Sequence, residues 1–352
     1  MIDLDDEEAM TRADPGGMLD AVTALPDHCR GGYRAGRNAL DLPDAEGVTS
    51  ILVVGMGGSA VAGDVLAALA SPRVRIPVQV VRGGELPEHC GIHTLVIASS
   101  YSGTTAETLA AFEEAVRRGC RLLAITSGGE LARRAEELEL GRITVPTGYV
   151  PRAAFGFLTL GVLGALEAMG VVPAVPDDLD EAVTLMREVL EESGPVAPTA
   201  RNPAKDLARA IGDRVPVVWG AEGIGSVAAT RWKTQFNENA KVPAFASAIP
   251  ELDHNEVVGW SAGRGEGFAL IALRHDGEPA DVAARFPPSI EIARGSGATV
   301  REVGARGRSA LARLLTLTLQ GDLSATYLGI ARGEDPSPID AIAGLKRALA
   351  GS

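Results

Sequence analysis

The sequence predicts an α/β protein of two similar domains, each a parallel sheet flanked by helices. Three observations lead there. Apolar strand-like runs alternate with amphipathic helical segments along most of the chain. A unit of buried strand, glycine loop and helix occurs twice, as VVGMGGSAVAGDV at 53–65 and VPVVWGAEGIGSVAATRW at 215–232. Aligning Gly55 with Gly220 lays VVGMGGSAVA over VWGAEGIGSVA. Finally, 352 residues is about two ordinary domain lengths.

In chain order, strands are expected at Ile51–Val54, Val78–Arg82, Thr94–Ala98, Arg121–Thr126 and Ile143–Val145. Helical patterns separate most of them. In TTAETLAAFEEAVRRG, Leu109, Phe112 and Val116 share one face, and a basic last turn precedes Gly119. A long apolar helix from about Ala153 to Met169 closes the first half. VVPAVPDDLDEAV then has the proline and acid content of a linker running into another helix. Later strands are expected at Phe268–Leu273 and Ala298–Val303, followed by an apolar helix near Leu311–Ile330. The expected organisation is a lead segment 1–30, a first domain 31–175, a linker and helix 176–200, and a second domain 201–352. The acidic lead is expected to lack order.

The bulk numbers exclude some partners. Hydrophobic residues make up 46% of the chain, enough for packed cores. A formal net charge of −13 argues against nucleic acid and anionic membranes as partners. It leaves room for a phosphorylated small molecule, because local donors override the mean field. The longest apolar stretch, AAFGFLTLGVLGALEAMG, meets Glu167 after about 14 residues, too short to span a bilayer. MIDLDDEEAM is acidic where a signal peptide is basic. Cys29, Cys90 and Cys120 have no metal spacing and read as free thiols of a reducing cytoplasm.

The first glycine loop is an anion site by construction. A helix that starts after a tight glycine turn offers unpaired N–H groups and the positive end of its dipole. Gly55, Gly57 and Ala60 have the G-x-G-x-x-A spacing of dinucleotide folds, but the acidic residue expected about 20 positions on is missing. Arg82 stands there instead, so an NADP reading survives on that arginine alone. The next strand exit, IASSYSGTTAET, is more informative. Ser100, Ser102, Thr104 and Thr105 place four hydroxyls around Gly103 just before a helix. One or two would satisfy an N-cap. Four, beside Gly57, Gly58 and Ser59, read as a neutral donor basket for one phosphate monoester. Glu222, on the second glycine loop, is a poor phosphate partner, so one phosphate site per chain is expected.

GMGGSA followed by SSYSGTTAET resembles the sugar isomerase (SIS) domain, a flavodoxin-like phosphosugar-binding module. WKTQFNENAKVPAFASAIPELDHNEVVGW is similar to the bifunctional phosphoglucose/phosphomannose isomerases of bacteria and archaea. The likeness runs from about Gly32 to the end. It implies cofactor-independent, metal-independent interconversion of hexose 6-phosphates through an enediolate. It also implies a homodimer.

That chemistry needs a base for a C–H beside a carbonyl, help in opening the ring, and a cation for the enediolate. Glu238 in QFNENAK, expected just past the helix that follows the second glycine loop, matches the family's base. His254 in ELDHNE is a side chain suited by type to proton transfer and matches the ring-opening residue, which the resemblance places across the dimer interface. Arg152 in PRAAFGF matches the arginine that faces the enediolate. Lys346 in DAIAGLKRAL matches a lysine that assists ring opening, with Arg347 competing for the role. Asp253 and Glu256 are conceivable metal ligands, but no second histidine is near. The alternative is a non-catalytic phosphosugar-binding regulator, which would need the basket but neither Glu238 nor His254. No basic DNA-binding segment accompanies it here. Glutamine-dependent amidotransfer would call for a nucleophile at the start, where Met1 and Ile2 stand.

Overall fold

The computed structural model describes residues 2–70 and 73–350, without the side chains of 343, 346, 349 and 350. The chain divides into two compact units. One comprises Ala24–Arg187 with Gly307–Leu315. The other comprises Met1–Thr23, Glu188–Arg306 and Thr316–Ser352.

The first unit holds five strands: β1 (Ser50–Val54), β2 (Val78–Val81), β3 (Thr94–Ser99), β4 (Arg121–Thr126) and β5 (Gly141–Thr144). All pair in parallel, in the order β2-β1-β3-β4-β5. β1 and β3 are continuous apolar runs because helices cover both faces of a parallel sheet. The helix Phe155–Ala168 is apolar all round and buried. It lies against the helix Leu25–Arg37 so closely that a Cβ on Gly36 would overlap the Gly161 carbonyl. Val145, expected to end the fifth strand, follows it.

The second unit holds β6 (Val215–Ala221), β7 (Phe245–Ile249), β8 (Phe268–Arg274) and β9 (Thr299–Gly304). They are parallel, in the order β7-β6-β8-β9. This is the winding of the first sheet without a fifth strand. β7 was not among the expected strands, because FASAI mixes small and polar residues and lies at the sheet edge. Buried Trp219, Phe286 and Ile290 anchor this core.

The acidic lead is ordered, contrary to expectation. It forms helices Glu7–Ala13 and Met18–Thr23 within the second unit. The Lys205 ammonium, 1% exposed, donates to the Leu4 and Pro195 carbonyls at 2.7 and 2.8 Å. The Asp5 carboxylate accepts from the N–H and hydroxyl of Thr199 at 2.7 and 2.8 Å. The acids of this segment are spent on capping and anchoring rather than on repulsion. Cys29, Cys90 and Cys120 are buried free thiols. Among the described residues, no helix is long and apolar enough to cross a membrane.

Candidate active site

In the order 2-1-3-4-5, the sheet reverses direction of growth between β1 and β3, where ligands of open α/β sheets bind beyond the strand ends. Both predicted loops of the first unit leave the sheet there. The glycine loop follows β1. Gly57 is left-handed at φ +54°, which lets the chain turn straight into the helix Gly58–Ala70. Among the described residues, nothing accepts from the N–H groups of Gly57 and Gly58.

The hydroxyl loop follows β3 and folds onto the glycine loop. The Tyr101 N–H donates to Ser59 Oγ at 3.3 Å. Ser100 Oγ lies 3.0 Å from Thr105 Oγ1 and accepts from the Gly103 N–H at 3.2 Å. Ser102 Oγ accepts from the Thr104 N–H at 3.3 Å and its hydroxyl at 3.1 Å. Counting hydrogens shows what remains. Ser59 and Ser102 act as acceptors and keep their own O–H. Ser100 and Thr105 carry two hydrogens and use one between them. Thr105 sits at the N-cap of the helix Ala106–Arg117 yet makes no capping bond. Nothing among the described residues accepts from the N–H groups of Ala106 and Glu107. Several donors therefore point at no resident acceptor, which is what a phosphate dianion requires.

Arg152 is 2% exposed and sits in the turn before the helix Phe155–Ala168. Its Cα lies 3.3 Å from where a Cβ on Gly58 would stand, so glycine there admits the arginine turn. The first unit thus gathers Gly57, Gly58, Ser59, Ser100, Ser102, Thr105 and Arg152. Arg82, one residue past β2, pairs with Asp64 of the glycine-loop helix. An NADP 2′-phosphate would have to compete with that carboxylate.

The remaining predicted residues belong to the second unit. Glu238 does not follow the helix after β6, as expected, but lies in its last turn, the helix being Ile224–Asn239. Its neighbours hold that turn. Asn237 Nδ2 donates to the Val242 carbonyl at 2.8 Å, and Asn239 Nδ2 donates to Thr326 Oγ1 at 3.2 Å. The Lys241 ammonium donates to the carbonyls of Glu238 at 2.5 Å and Pro338 at 2.7 Å. Further up the helix, buried Arg231 makes a two-pronged pair with Asp322 at 3.0 and 2.6 Å. Their wide separation along the chain hid that pair from sequence reasoning.

His254 is exposed at the end of a short helical turn, Glu251–His254. The residues around it are structural. Asp253 accepts from the Ser289 hydroxyl at 2.7 Å. Glu256 accepts from the indole N–H groups of Trp219 and Trp260 at 2.8 and 3.0 Å, and from the Ser247 hydroxyl. Those carboxylates fix the loop that presents the histidine. Lys346 lies on the helix Asp340–Ala350, and its side chain is outside the described residues. Glu222 is exposed, with its N–H on the Ile249 carbonyl at 2.9 Å.

Two family models match the chain. One, described as the bacterial phospho-glucose isomerase C-terminal SIS domain, covers residues 200–349, and the SIS domain covers residues 47–144. A bifunctional phosphoglucose/phosphomannose isomerase of Caldicellulosiruptor bescii is 35% identical over 335 residues, 95% of this chain and 99% of that protein. Its namesake from Thermoplasma acidophilum is 34% identical over 303 residues, 86% of this chain and 90% of that protein. Among solved structures, a hypothetical protein of Thermus thermophilus superposes with a TM-score of 0.74 at 19% identity. That match covers 98% of this chain and 93% of the other, a likeness of fold. Together with the two SIS sheets, these relatives make the chain a member of the bifunctional phosphoglucose/phosphomannose isomerase family.

Proposed function

We propose that this protein interconverts fructose 6-phosphate with glucose 6-phosphate and mannose 6-phosphate. The observation that carries the reading is the open donor basket at the β1/β3 switch point, with Arg152 against its glycine loop.

In this reading, the phosphate rests on the hydroxyls of Ser59, Ser100, Ser102 and Thr105 and on the amides beside Gly57, Gly58 and Ala106. His254 and Lys346 move the proton that opens the ring. The Glu238 carboxylate then takes a proton from C2 of the aldose, or C1 of the ketose. The electron pair left behind forms an enediolate, whose negative charge Arg152 faces. Glu238 returns the proton to the neighbouring carbon, so one base serves both directions and nothing is consumed. Re-protonation of C2 from either face, or rotation about C2–C3, gives both epimers. The sequence of steps calls on no cofactor.

His254 reaches a partner's site in a homodimer. Its exposure on a firmly held loop supports this assignment, because no acceptor for its ring lies among the described residues. The protein works in the cytoplasm, in keeping with its three free thiols. The deciding experiment is a coupled assay of purified protein on fructose 6-phosphate without added metal. Formation of glucose 6-phosphate or mannose 6-phosphate is expected. Tight sugar-phosphate binding without either product overturns the reading in favour of a regulatory binder.

A further inference from the structure

We propose that Tyr101 is a positioning residue that couples the phosphate basket to the turn carrying Arg152. The inference rests on the isomerase reading above and concerns a residue that no motif argument singles out. Tyr101 is 7% exposed and bonds in three directions. Its N–H donates to Ser59 Oγ at 3.3 Å. Its carbonyl accepts from the N–H of Ser127 at 3.0 Å and the Ser127 hydroxyl at 2.7 Å. Its phenol donates to the Pro146 carbonyl at 3.1 Å and accepts from the Tyr149 N–H at 2.9 Å. The backbone of this residue is therefore part of the anion loop, while the far end of its ring staples the segment after β5.

That segment leads directly to Arg152. The Tyr149 ring packs on His28 and Phe157, with centroids 4.8 and 5.8 Å away. The Ala153 N–H then closes on the Val150 carbonyl at 2.9 Å, forming the turn that holds Arg152. On its other side, the turn abuts Gly58. The arginine turn is thus held between the phenol of one phosphate loop and the helix start of the other. Only a phenol can do this from position 101. A serine or threonine hydroxyl is too short, and a phenylalanine ring would remove the bonds to the half-buried Tyr149 N–H and to the Pro146 carbonyl. Burial raises the phenol's pKa, so it remains a protonated donor through the neutral range.

The consequence is a division of labour. Ser100, Ser102 and Thr105 bind the anion, and Tyr101 transmits the position of their loop to Arg152. Loosening the phenol should misplace the enediolate's cation while leaving phosphate affinity nearly intact.

The test is a double-mutant cycle of Tyr101→Phe and Arg152→Lys on fructose 6-phosphate turnover, with glucose 6-phosphate binding by calorimetry and a thermal melt for each protein. In the otherwise wild-type chain, Tyr101→Phe is expected to lower kcat by about 10–100-fold, the scale of a misplaced catalytic group. Its dissociation constant for glucose 6-phosphate should change by less than about threefold. In the Arg152→Lys background the same change should cost under about threefold, because the residue it positions is gone. Ser127→Ala, which removes the 2.7 Å bond to the Tyr101 carbonyl, should move kcat the same way by a smaller factor, and it decides the matter should Tyr101→Phe not fold. Unchanged kcat, equal losses in both backgrounds, or an affinity loss matching the kcat loss overturns the inference and leaves the isomerase reading standing. A wild-type protein without turnover overturns both.

Discussion

The two halves share one winding but treat the same position in opposite ways. β3 and β8 are equivalent, each paired with the first strand of its sheet on the side away from the second. After β3 the chain reads SYSGTTAE and leaves hydroxyls and amides without an acceptor. After β8 it reads HDGEPA, and Glu278 turns back into that exit. The Glu278 side chain, 3% exposed, accepts from Arg274 Nη2 at 2.8 Å and from the His275 N–H at 2.8 Å. Where the first half leaves its donors open, the second supplies an acceptor of its own. The serines differ likewise. Ser59 accepts from a neighbouring loop and keeps its O–H, whereas Ser226 donates to the Gly223 carbonyl at 3.0 Å within its own loop. On the proposed reading, a duplicated frame is thereby divided between holding the phosphate and presenting Glu238 and His254.

This comparison is open to attack at several points. The largest effect is expected at Glu238. Glu238→Gln should lower kcat by about 10²–10⁴-fold with KM little changed, as loss of a general base dictates. Steady-state kinetics with both hexose phosphates measures it, and wild-type kcat would remove Glu238 from the role. Next comes the basket. Ser100→Ala combined with Thr105→Val should raise KM by about 10–100-fold through lost charge-assisted hydrogen bonds. Ser226→Ala, in the glycine loop of the second half, should leave KM where it was. Equal effects from both would erase the asymmetry.

Stability separates the halves next. Glu278→Ala strips the internal anion from Arg274 and His275 and should cost about 1–3 kcal/mol, read as a lower denaturant midpoint, with kcat unaffected. The smallest effect concerns His28. Burial lowers its pKa below the ordinary histidine value, the neighbouring Ala153 backbone and Asp27 opposing only in part. The unfolded chain therefore takes up a proton that the folded chain refuses, and stability is lost as pH falls through and below about 6.5. His28→Asn should flatten the fall in Tm between about pH 7.5 and 5.5 relative to wild type.

Much of this was legible in the sequence because strands buried on both faces are uninterrupted apolar runs, as in ILVV and TLVIA. The hydroxyl loop with its spare donors was legible because more hydroxyls crowd that helix start than capping needs. Other features left no local signal. β7 lies at an edge and carries no apolar run. The Arg231–Asp322 pair joins helices far apart in the chain. Tyr101 drew no reading from the sequence, because its phenol bonds to the segment after β5, which no spacing in the loop reveals. The ordered lead was missed because its acids read as repulsive charge, whereas Asp5 and Asp14 cap neighbouring backbone and Lys205 anchors the opening residues.

The central claim is that the second half's carboxylate moves a carbon-bound proton of a sugar whose phosphate the first half holds. Running fructose 6-phosphate with wild type and Glu238→Gln in deuterium oxide, followed by NMR, tests it most directly. The account predicts deuterium at C2 of the aldose 6-phosphate formed by wild type, and labelled product from Glu238→Gln only at a rate about 10²–10⁴-fold lower despite retained binding. Labelled product formed by Glu238→Gln at the wild-type rate contradicts it.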